Sequence, residues 1–435
     1  MERTMSGKIK YIDATQFEQE VLQGGNVIVD FYSTECPPCE ALAAKFEPLS
    51  EIFGDDITFI KIFRQENRKL AESLGVTSSP TVLFYKNGRE IGTRLSGSIK
   101  RSELLDGIKL MLPKERFDQL LSTILPVTTY TDILIIGAGP AGLTAGIYAA
   151  QAKLKTIIVD TQLPGGQVQT THMVSNYPGF AKPIEGFMLM HYMNEQAKEA
   201  GCQYRVAVDI TAIDLKKKFV VIDGIETINA KKIILATGCS YGELNVPGEY
   251  EYKGKGISYC ATCDAKYYQD KHVVVIGGGN SAIEESLFIA KFASKISIVH
   301  QFDRLQANRE AQEKAFANEK ISFMFSHEPR AFMKNEDGSM TVEVENLKNN
   351  TYSQINCDGV FIFAGMKPNI IHDELETNNG YIVTDEYMHT SLPDVFAAGD
   401  IRYKPYRQIT TAVADGTIAA ITAVKELEEA LVTVS

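Results

Sequence analysis

The chain has 435 residues, which is too long for one hydrophobic core of ordinary size, so we expect two or three domains. Its 44 basic and 55 acidic residues give a formal net charge of −11, which argues against a nucleic acid or an anionic membrane as the main partner. The sequence has no run of about 18 apolar residues and no apolar stretch with a cleavage site near its start, so we expect a cytoplasmic protein.

Residues 1–112 alternate between strand and helix patterns. The strand pattern NVIVDFY is followed by Cys36 and Cys39 at the start of a helical stretch, then by the strand pattern ITFIKIF and a second helix. TVLFYKNGREIGTRL predicts a hairpin that turns at Asn87-Gly88, and a last helix covers about 98–111. Because a helix start stabilises a thiolate, this C-x-x-C pair has the position of a reactive dithiol.

The segment 113–129 contains Pro113 and Pro126 and predicts a linker with a short helix in it. At Asp132 a strand, a glycine turn, a helix and a second strand follow one another. The same order begins again at His272, about 140 residues later. Two such units predict two dinucleotide sites.

The first glycine turn contains Gly137, Gly139 and Gly142, directly after an apolar strand and at the mouth of a helix. Glycines in this context let backbone amides approach a pyrophosphate, and the helix N-terminus adds partial positive charge. Asp160, at the end of the next strand, is placed to accept a hydrogen bond from a ribose hydroxyl. Close packing alone would also explain the glycines, and the motif by itself leaves that alternative open.

The second glycine turn contains Gly277, Gly279 and Ala282 and predicts a cradle for a nicotinamide dinucleotide. Glu284 and Glu285 follow on the same helix, where they either face solvent or lie near the cofactor.

A second C-x-x-C pair, Cys260 and Cys263, lies between the two dinucleotide units. Half a zinc site is the alternative, but further ligands would then be needed, and His272 is the one nearby histidine and begins a strand. We therefore expect a redox dithiol and no metal. The other cysteines are interpreted as ordinary buried thiols: Cys202, Cys239 and Cys357.

The motif order GxGxxG, GGQ, NYPG, ATG, CATC, GGGNSA, AAGD and YRQ resembles bacterial-type, low-molecular-weight thioredoxin reductases over 130–435. The first part resembles a thioredoxin, with Asp30 under the dithiol, Lys61 on the next strand and Pro80 in the place of the family's cis-proline. The resemblance implies an α/β chain: an N-terminal thioredoxin fold plus two Rossmann-like domains, for FAD and NAD, of the pyridine nucleotide-disulfide oxidoreductase type.

The implied division of the chain has four parts besides the linker: a thioredoxin-like domain 1–112, FAD-binding parts 130–243 and 366–435, and an NAD(P)H-binding domain 244–365. The resemblance also implies the cofactor-binding residues. Those for FAD are Gly137, Gly139, Pro140, Ala141, Gly142, Asp160, Gly165, Gly166, Gln167, Asn176, Ile210, Ala236, Gly238, Asp400, Arg407, Gln408 and Ile409. Those for NAD(P)H are Gly277, Gly279, Asn280, Ser281, Ala282, His300 and Gln301.

The resemblance assigns different roles to the residues of YCATCDAK. Cys263 would face the flavin, Cys260 would exchange with a partner disulfide, and Asp264 would give a proton to the outgoing thiolate. In the family both the nicotinamide and this dithiol need one flavin face, so the nicotinamide domain would rotate on hinges near 242–248 and 365–368.

NADPH-using relatives show H-R-R-x-x-x-R after the next strand, where the arginines hold the 2′-phosphate. Here His300 is followed by Gln301, Phe302 and, later, Gln306, so charge-assisted partners worth about 1.5–3 kcal/mol each are lost. The sequence predicts a preference for NADH. Arg304 and Arg309 are the neighbours that could substitute.

The predicted function is a relay from NADH through FAD and Cys260/Cys263 to Cys36/Cys39 and then to protein disulfides, in a homodimer. The motif CPPC and Glu35, which stands where thioredoxins have tryptophan, depart from the thioredoxin pattern and leave the partner surface open. Three alternatives remain. The enzyme could be the flavoprotein reductase of a peroxiredoxin, its electron donor could be other than a nicotinamide, or the first domain could be a docking module outside the relay.

Overall fold

The computed structural model describes residues 8–171, 174, 176–259, 261–371 and 374–434. Among these, the side chains of 170, 241, 262, 263 and 431–434 are not described. Within the described residues, none of the helices is both long enough and apolar enough to cross a membrane.

The N-terminal part forms one sheet with helices on both sides. Its strands are β1 Ile9–Ile12, β2 Asn26–Tyr32, β3 Thr58–Phe63, β4 Thr81–Lys86 and β5 Arg89–Ser96, in the spatial order β1-β3-β2-β4-β5. Its helices are a π-helix Glu18–Leu22 and α1 Pro37–Phe53, α2 Arg68–Ser73, α3 Arg101–Met111 and α4 Lys114–Leu121. The strand β2 is parallel to β3 and antiparallel to β4, and its five inner residues are buried, as a central strand with apolar side chains on both faces requires.

The predicted hairpin is confirmed. Asn87 and Gly88 connect β4 to β5, and both have positive φ angles, 51° and 76°. Two-residue hairpin turns with positive φ match the twist of the flanking strands, and asparagine followed by glycine tolerates that conformation. The last predicted helix begins at Arg101 rather than near residue 98.

The helix α4 lies inside the segment predicted as a linker, and it packs on the thioredoxin-like domain. Phe117 stacks on Phe53 with a centroid distance of 5.8 Å, and Arg116 pairs with Asp56 at 2.7 Å. The chain that connects α4 to the next strand is therefore 122–126.

The next elements build the domain of the first glycine turn. They are β6 Val127–Ile136, α5 Pro140–Gln151, β7 Thr156–Asp160, a 3₁₀ helix Gly166–Thr170, α6 Gly186–Ala200, β8 Gln203–Val206, β9 Ile210–Asp214, β10 Phe219–Ile222, β11 Glu226–Leu235 and β12 Cys239–Tyr241.

The domain of the second glycine turn follows. It contains β13 Ile257–Ser258, α7 Ala261–Asp264, a 3₁₀ helix Ala265–Tyr268, β14 His272–Ile276, α8 Asn280–Ile289, β15 Lys295–His300, α9 Arg309–Phe316, β16 Ile321–Phe325, β17 His327–Lys334, β18 Met340–Asn346, β19 Thr351–Cys357 and β20 Gly359–Ile362.

The chain then returns to the first of these two domains. The last elements are β21 Met366–Pro368, β22 Thr377–Asn378, β23 Tyr381–Ile382, β24 Val395–Ala397, a 3₁₀ helix Gly399–Ile401 and α10 Ile409–Val434.

Both dinucleotide-type domains have sheets with a parallel core, and in each the glycine turn follows a central parallel strand. The first sheet has the order β8-β7-β6-β11-β10-β9, with β24 beside β11; β8, β7, β6, β11 and β24 are parallel. The second sheet, β13-β20-β14-β15-β16, is parallel throughout. The predicted α/β fold class, a thioredoxin fold with two Rossmann-like domains, is confirmed.

Candidate dinucleotide and dithiol sites

The first glycine turn combines close packing with open space. A Cβ on Gly137 would lie 2.3 Å from the carbonyl oxygen of Ala236, and one on Gly142 would lie 1.8 Å from the carbonyl oxygen of Gly137. A Cβ on Gly139, by contrast, would meet nothing nearer than the Cα of Gly166 at 3.9 Å. Two glycines are thus required by backbone packing, while Gly139 leaves room for a ligand at the N-terminus of α5.

The carboxylate of Asp160 lies beside this turn at the end of β7. Its oxygens accept hydrogen bonds from the backbone N–H groups of Ala138 at 2.7 Å and Gln162 at 2.8 Å. Burial raises the pKa of Asp160, and these amide donors oppose that shift. Since two carboxylate oxygens can accept about four hydrogen bonds, capacity remains for a ribose hydroxyl.

Four segments that are distant in the sequence meet where the resemblance places the isoalloxazine. The Gln167 side-chain amide donates to the carbonyl oxygen of Cys239, and the Asn176 amide donates to Oε1 of Gln408 at 3.1 Å. The guanidinium of Arg407 lies 3.9 Å from the ring centroid of Tyr381.

Two buried polar groups at this end fit a flavin. Nε of Arg407 is buried and has no hydrogen-bond partner among the described residues. Asp400 lies on the 3₁₀ turn before α10 and pairs with Lys404 at 3.3 Å, and burial raises its pKa. A buried donor without a partner is costly, so a polar ligand at this place would stabilise the site.

The remaining residues predicted for FAD are near these groups, except for Ile210. Gly165 donates its N–H to the carbonyl oxygen of Ala138, which holds its loop against the glycine turn, and Ala236 donates to Ile136. Ile210 begins β9 and packs against the apolar core. The others lie at element ends: Pro140, Ala141, Gly166, Gly238 and Ile409.

The second glycine turn opens into a cleft of about 670 Å³, here called the nucleotide cleft. Its lining includes Gly277, Gly278, Gly279, Asn280, Ser281, Ala282, Glu285, His300, Gln301, Gln306, Glu328 and Arg330. Gly277 must lack a side chain, because its φ is 130° and a Cβ would lie 2.4 Å from the carbonyl oxygen of Phe363. Gly279 again faces open space.

Two polar atoms in the nucleotide cleft are buried without hydrogen-bond partners among the described residues: Oε2 of Glu285 and Nε2 of His300. Burial, with Glu284 nearby, raises the pKa of Glu285 to about 7. Glu284 instead accepts a hydrogen bond from Asn308 at 3.0 Å. Of the two glutamates left open by the sequence, Glu285 is therefore the one that a bound dinucleotide could reach.

The cleft carries little free positive charge. Arg330 is held by Glu345 at 2.5 Å through Nε and by Glu328 at 3.0 Å through Nη2. Arg304 and Arg309 are not among the described residues that line it. Glu328 and Arg330 belong to no motif in the sequence, and they reach the cleft because β17 lies beside β15 of the second sheet.

A two-stranded ribbon joins the two dinucleotide-type domains. Strand β12 pairs with β21 in antiparallel fashion, and Gly242 donates its N–H to the carbonyl oxygen of Gly365 at 2.8 Å. These residues fall at the positions where the sequence predicts hinges.

Part of the second C-x-x-C motif lies outside the described residues. This holds for Cys260, and only the backbone of Cys263 is described, in α7. Asp264 ends α7 and is partly buried.

The residue before this motif is tied to the domain connection. The Tyr259 hydroxyl donates to Oε1 of Glu249 at 2.5 Å, and Glu249 also accepts from the N–H groups of Leu244 at 2.9 Å and Asn245 at 2.6 Å. Glu249, which belongs to no motif in the sequence, thus ties Tyr259 to the segment that connects the two domains.

The first pair, Cys36 and Cys39, forms a disulfide at the N-terminus of α1. Sγ of Cys36 accepts the N–H of Cys39 at 3.2 Å and lies 3.6 Å from the carbonyl oxygen of Ser79. The Ser79-Pro80 peptide bond is cis, as the resemblance implies. Amide donation and the helix dipole both favour a thiolate on Cys36 after reduction.

Asp30 lies on β2 with no exposed surface, and its carboxylate is 3.8 Å from Nζ of Lys61. Neither of its oxygens has a hydrogen-bond partner among the described residues. Burial raises the pKa of Asp30 to about 7, although Lys61 opposes the shift.

Replacing Asp30 with Asn is expected to stabilise the thioredoxin-like domain at alkaline pH. Because the folded-state pKa is about 7 and the unfolded value about 4, the wild-type domain loses up to about 4 kcal/mol of folding free energy as the pH rises from 4 through 7. Asp30→Asn should lack this loss. The measurement is urea denaturation of the full chain at pH 5 and pH 8. Hydrogen exchange, read in peptides that contain β2, reports the unfolding of the thioredoxin-like domain.

The matched control for this experiment is Asp106→Asn, which changes an exposed carboxylate on α3. It should unfold with the wild-type pH dependence. If Asp30→Asn also kept that dependence, burial of Asp30 would not be its cause.

The chain matches two known families. Over 131–416 it matches the family described as pyridine nucleotide-disulphide oxidoreductase, and over 8–110 it matches thioredoxin. A thioredoxin reductase of Peptoclostridium litorale is 44% identical over 313 residues, which cover 68% of this chain and 97% of that protein. The thioredoxin reductase of Bacillus subtilis (strain 168) is 41% identical over 308 residues, which cover 69% and 97%.

Solved structures give the same result. The crystal structure of Lactococcus lactis thioredoxin reductase, in the conformation named FR, is 37% identical with a TM-score of 0.63, and the match covers 69% of this chain and 99% of that one. For the thioredoxin reductase of T. acidophilum the values are 30% and 0.62, with 68% and 98% covered. The relatives are thus matched over nearly their whole length, while about a third of this chain lies outside each match.

Proposed function

This chain belongs to the pyridine nucleotide-disulphide oxidoreductase family as an enzyme of the thioredoxin reductase type with an N-terminal thioredoxin domain, and from that premise we propose that it passes electrons from NADH through two dithiols in series to protein disulfides. The observation that carries the proposal is the Cys36–Cys39 disulfide at a helix start, covalently attached to the reductase. The family implies FAD and NAD(P)H as cofactors.

The residues of the first site fit FAD at both of its ends. The open face of Gly139 and the first amides of α5 would hold the pyrophosphate, and Asp160 would hold a ribose. Arg407, with its buried Nε, and Gln408 would line the isoalloxazine. When bound, FAD supplies two-electron transfer between a nicotinamide and a dithiol.

The sulfur chemistry of the proposal is two successive exchanges. The thiolate of reduced Cys260 attacks Sγ of Cys36, which breaks the Cys36–Cys39 bond and forms a mixed disulfide. Cys263 then attacks Cys260, which releases Cys36 and closes the Cys260–Cys263 disulfide. One electron pair and two protons pass to the N-terminal dithiol, and Asp264 would supply a proton to an outgoing thiolate.

The reduced N-terminal dithiol then reduces an external disulfide by two further exchanges. The thiolate of Cys36, favoured by its place at the start of α1, attacks one of its sulfurs, and Cys39 resolves the mixed disulfide. The tether raises the local concentration of the N-terminal dithiol to roughly millimolar where it can reach Cys260.

The charge of the nucleotide cleft supports NADH as the donor. Gln301 and Gln306 line it without charge, and Glu328 adds a carboxylate that already occupies Arg330. A 2′-phosphate, with its negative charge, would find no free cation there among the described lining residues. The proposal also includes a cytoplasmic homodimer, which rests on the resemblance to thioredoxin reductases.

An anaerobic titration of the purified protein tests the proposal. About three equivalents of NADH per chain should be consumed, one for FAD and one for each disulfide. Flavin absorbance should fall, and the thiol count should rise by the four cysteines of the two C-x-x-C pairs. A rise by two thiols with full flavin bleaching would contradict the relay and favour an N-terminal docking module.

The same preparation separates the two partner classes. Turnover of insulin disulfides identifies a general protein-disulfide reductase, whereas peroxide consumption that requires an added peroxiredoxin would favour the flavoprotein reductase of a peroxiredoxin.

A further inference from the structure

The thioredoxin-like domain rests against the FAD-binding domain through polar contacts. Nζ of Lys100 lies 2.8 Å from Oδ1 of Asp209, and the Ser102 hydroxyl donates to the other oxygen of the same carboxylate. Nζ of Lys45, on α1, donates to the carbonyl oxygen of Val206 at 3.1 Å. The start of α3 and one side of α1 therefore meet the segment that joins β8 to β9.

The cysteine end of α1 is part of the same contact. Glu40, the residue after Cys39, lies 3.7 Å from Nζ of Lys198 near the end of α6. The hydrogen bonds and ion pairs described here between 8–121 and the reductase domains end on residues between Lys198 and Asp209.

The charges across this contact are complementary. Lys45 and Arg101, on the thioredoxin side, are each only 6% exposed, and neither forms a salt bridge among the described residues, which is unusual for buried cationic side chains. Asp209 and Asp223, on the FAD-binding side, both attract Lys45 electrostatically. Burial nevertheless lowers the pKa of Lys45 to about 8.

The contact lies at the ribose end of the FAD site. Val206 is the last residue of the edge strand β8 and pairs in register with Asp160 of β7. The isoalloxazine end adjoins Cys239, which follows β11, three strands away in the order β8-β7-β6-β11. At about 4.8 Å per strand this separation is roughly 14 Å.

We propose that Lys198, Val206, Asp209 and Asp223 form a resting dock for the thioredoxin-like domain, and that this domain leaves the dock when Cys36 receives electrons. The dock is a surface feature of the FAD-binding domain, and its meaning for electron transfer rests on the proposed relay. Because Asp209 uses its side chain only for Lys100 and Ser102 among the described contacts, its replacement tests the dock without opening a core.

Lysine labelling of the full chain tests the dock directly. Asp209→Lys should increase the labelling rate of Lys45 by an amine-reactive reagent about fivefold or more, because it replaces an attraction by a repulsion. Exposed Lys69 serves as the internal standard, and Glu336→Lys, an exposed charge change of equal size in the NAD(P)H-binding domain, should leave Lys45 protected. The double variant Lys100→Glu/Asp209→Lys should restore protection.

The electron-transfer measurement is the rate at which NADH reduces the Cys36–Cys39 disulfide. At low ionic strength we expect Asp209→Lys to raise this rate several-fold, and the difference from the wild type should disappear in high salt.

Unchanged Lys45 protection in Asp209→Lys would overturn the dock. Exposure of Lys45 with slower reduction would overturn its resting role and make the face a transfer site. Cys36→Ser keeps every contact of the dock, so unchanged reduction of an external disulfide by Cys36→Ser, with Lys45 still protected, would refute the proposed function and leave the dock standing.

Discussion

Replacement of Cys36 by Ser is expected to lower the reduction of an external protein disulfide by NADH more than about a hundredfold. The hydroxyl of serine stays protonated near neutral pH and does not attack disulfides, whereas the wild-type sulfur accepts the Cys39 N–H at the start of α1. Reduction of a small dye by the flavin should keep its wild-type rate, because Cys36 touches no residue of either dinucleotide site among the described contacts.

Insulin reduction and dye reduction by the same preparation make the comparison. The matched variant is Cys39→Ser, which retains the nucleophile and lacks the resolving thiol, so it should accumulate a mixed disulfide between Cys36 and the substrate, visible by mass spectrometry. Wild-type insulin turnover by Cys36→Ser would remove the N-terminal dithiol from the relay and favour its role as a docking module.

The features that the sequence predicts correctly are those fixed by local geometry. The Asn87-Gly88 turn needs two positive φ angles, and few residue pairs other than asparagine-glycine provide them. In the same way, Gly142 lies where any side chain would collide with the carbonyl oxygen of Gly137 in the same turn. Such constraints act within a few residues, so they are visible in one sequence.

The features that the sequence does not predict depend on contacts between distant residues. The linker helix α4 packs on the thioredoxin-like domain because Phe117 stacks on Phe53. No local sequence pattern predicts this contact. Glu328 and Arg330 reach the nucleotide cleft through the placement of β17 beside the second sheet. Lys45 looks like an ordinary surface lysine in the sequence, but in the structure it is buried and donates to the distant carbonyl oxygen of Val206.

The nicotinamide prediction joins both kinds of information. The sequence supplies Gln301 and Gln306 in place of arginines, and the structure adds that Arg330 is already paired with Glu328 and Glu345. A phosphate that entered would have to displace a carboxylate from Arg330, so local charge opposes NADPH beyond the loss of the three arginines.

The wild-type enzyme is therefore expected to show a kcat/KM for NADH at least about tenfold above that for NADPH, since each missing charge-assisted pair is worth about 1.5–3 kcal/mol. Gln301→Arg should shift the ratio toward NADPH by about tenfold or more. Glu328→Gln should shift it in the same direction by a smaller factor, because it removes a repelling charge and frees one side of Arg330.

Steady-state kinetics with both nucleotides measure these ratios. Gln354→Arg, an exposed change of the same kind on β19, is the matched control and should leave the ratio unchanged. A wild-type preference for NADPH of tenfold would overturn the assignment and would mean that the cofactor brings Arg304, Arg309 or Arg330 to its phosphate. In that case Arg330→Gln, and not Gln301→Arg, should be the substitution that changes the ratio.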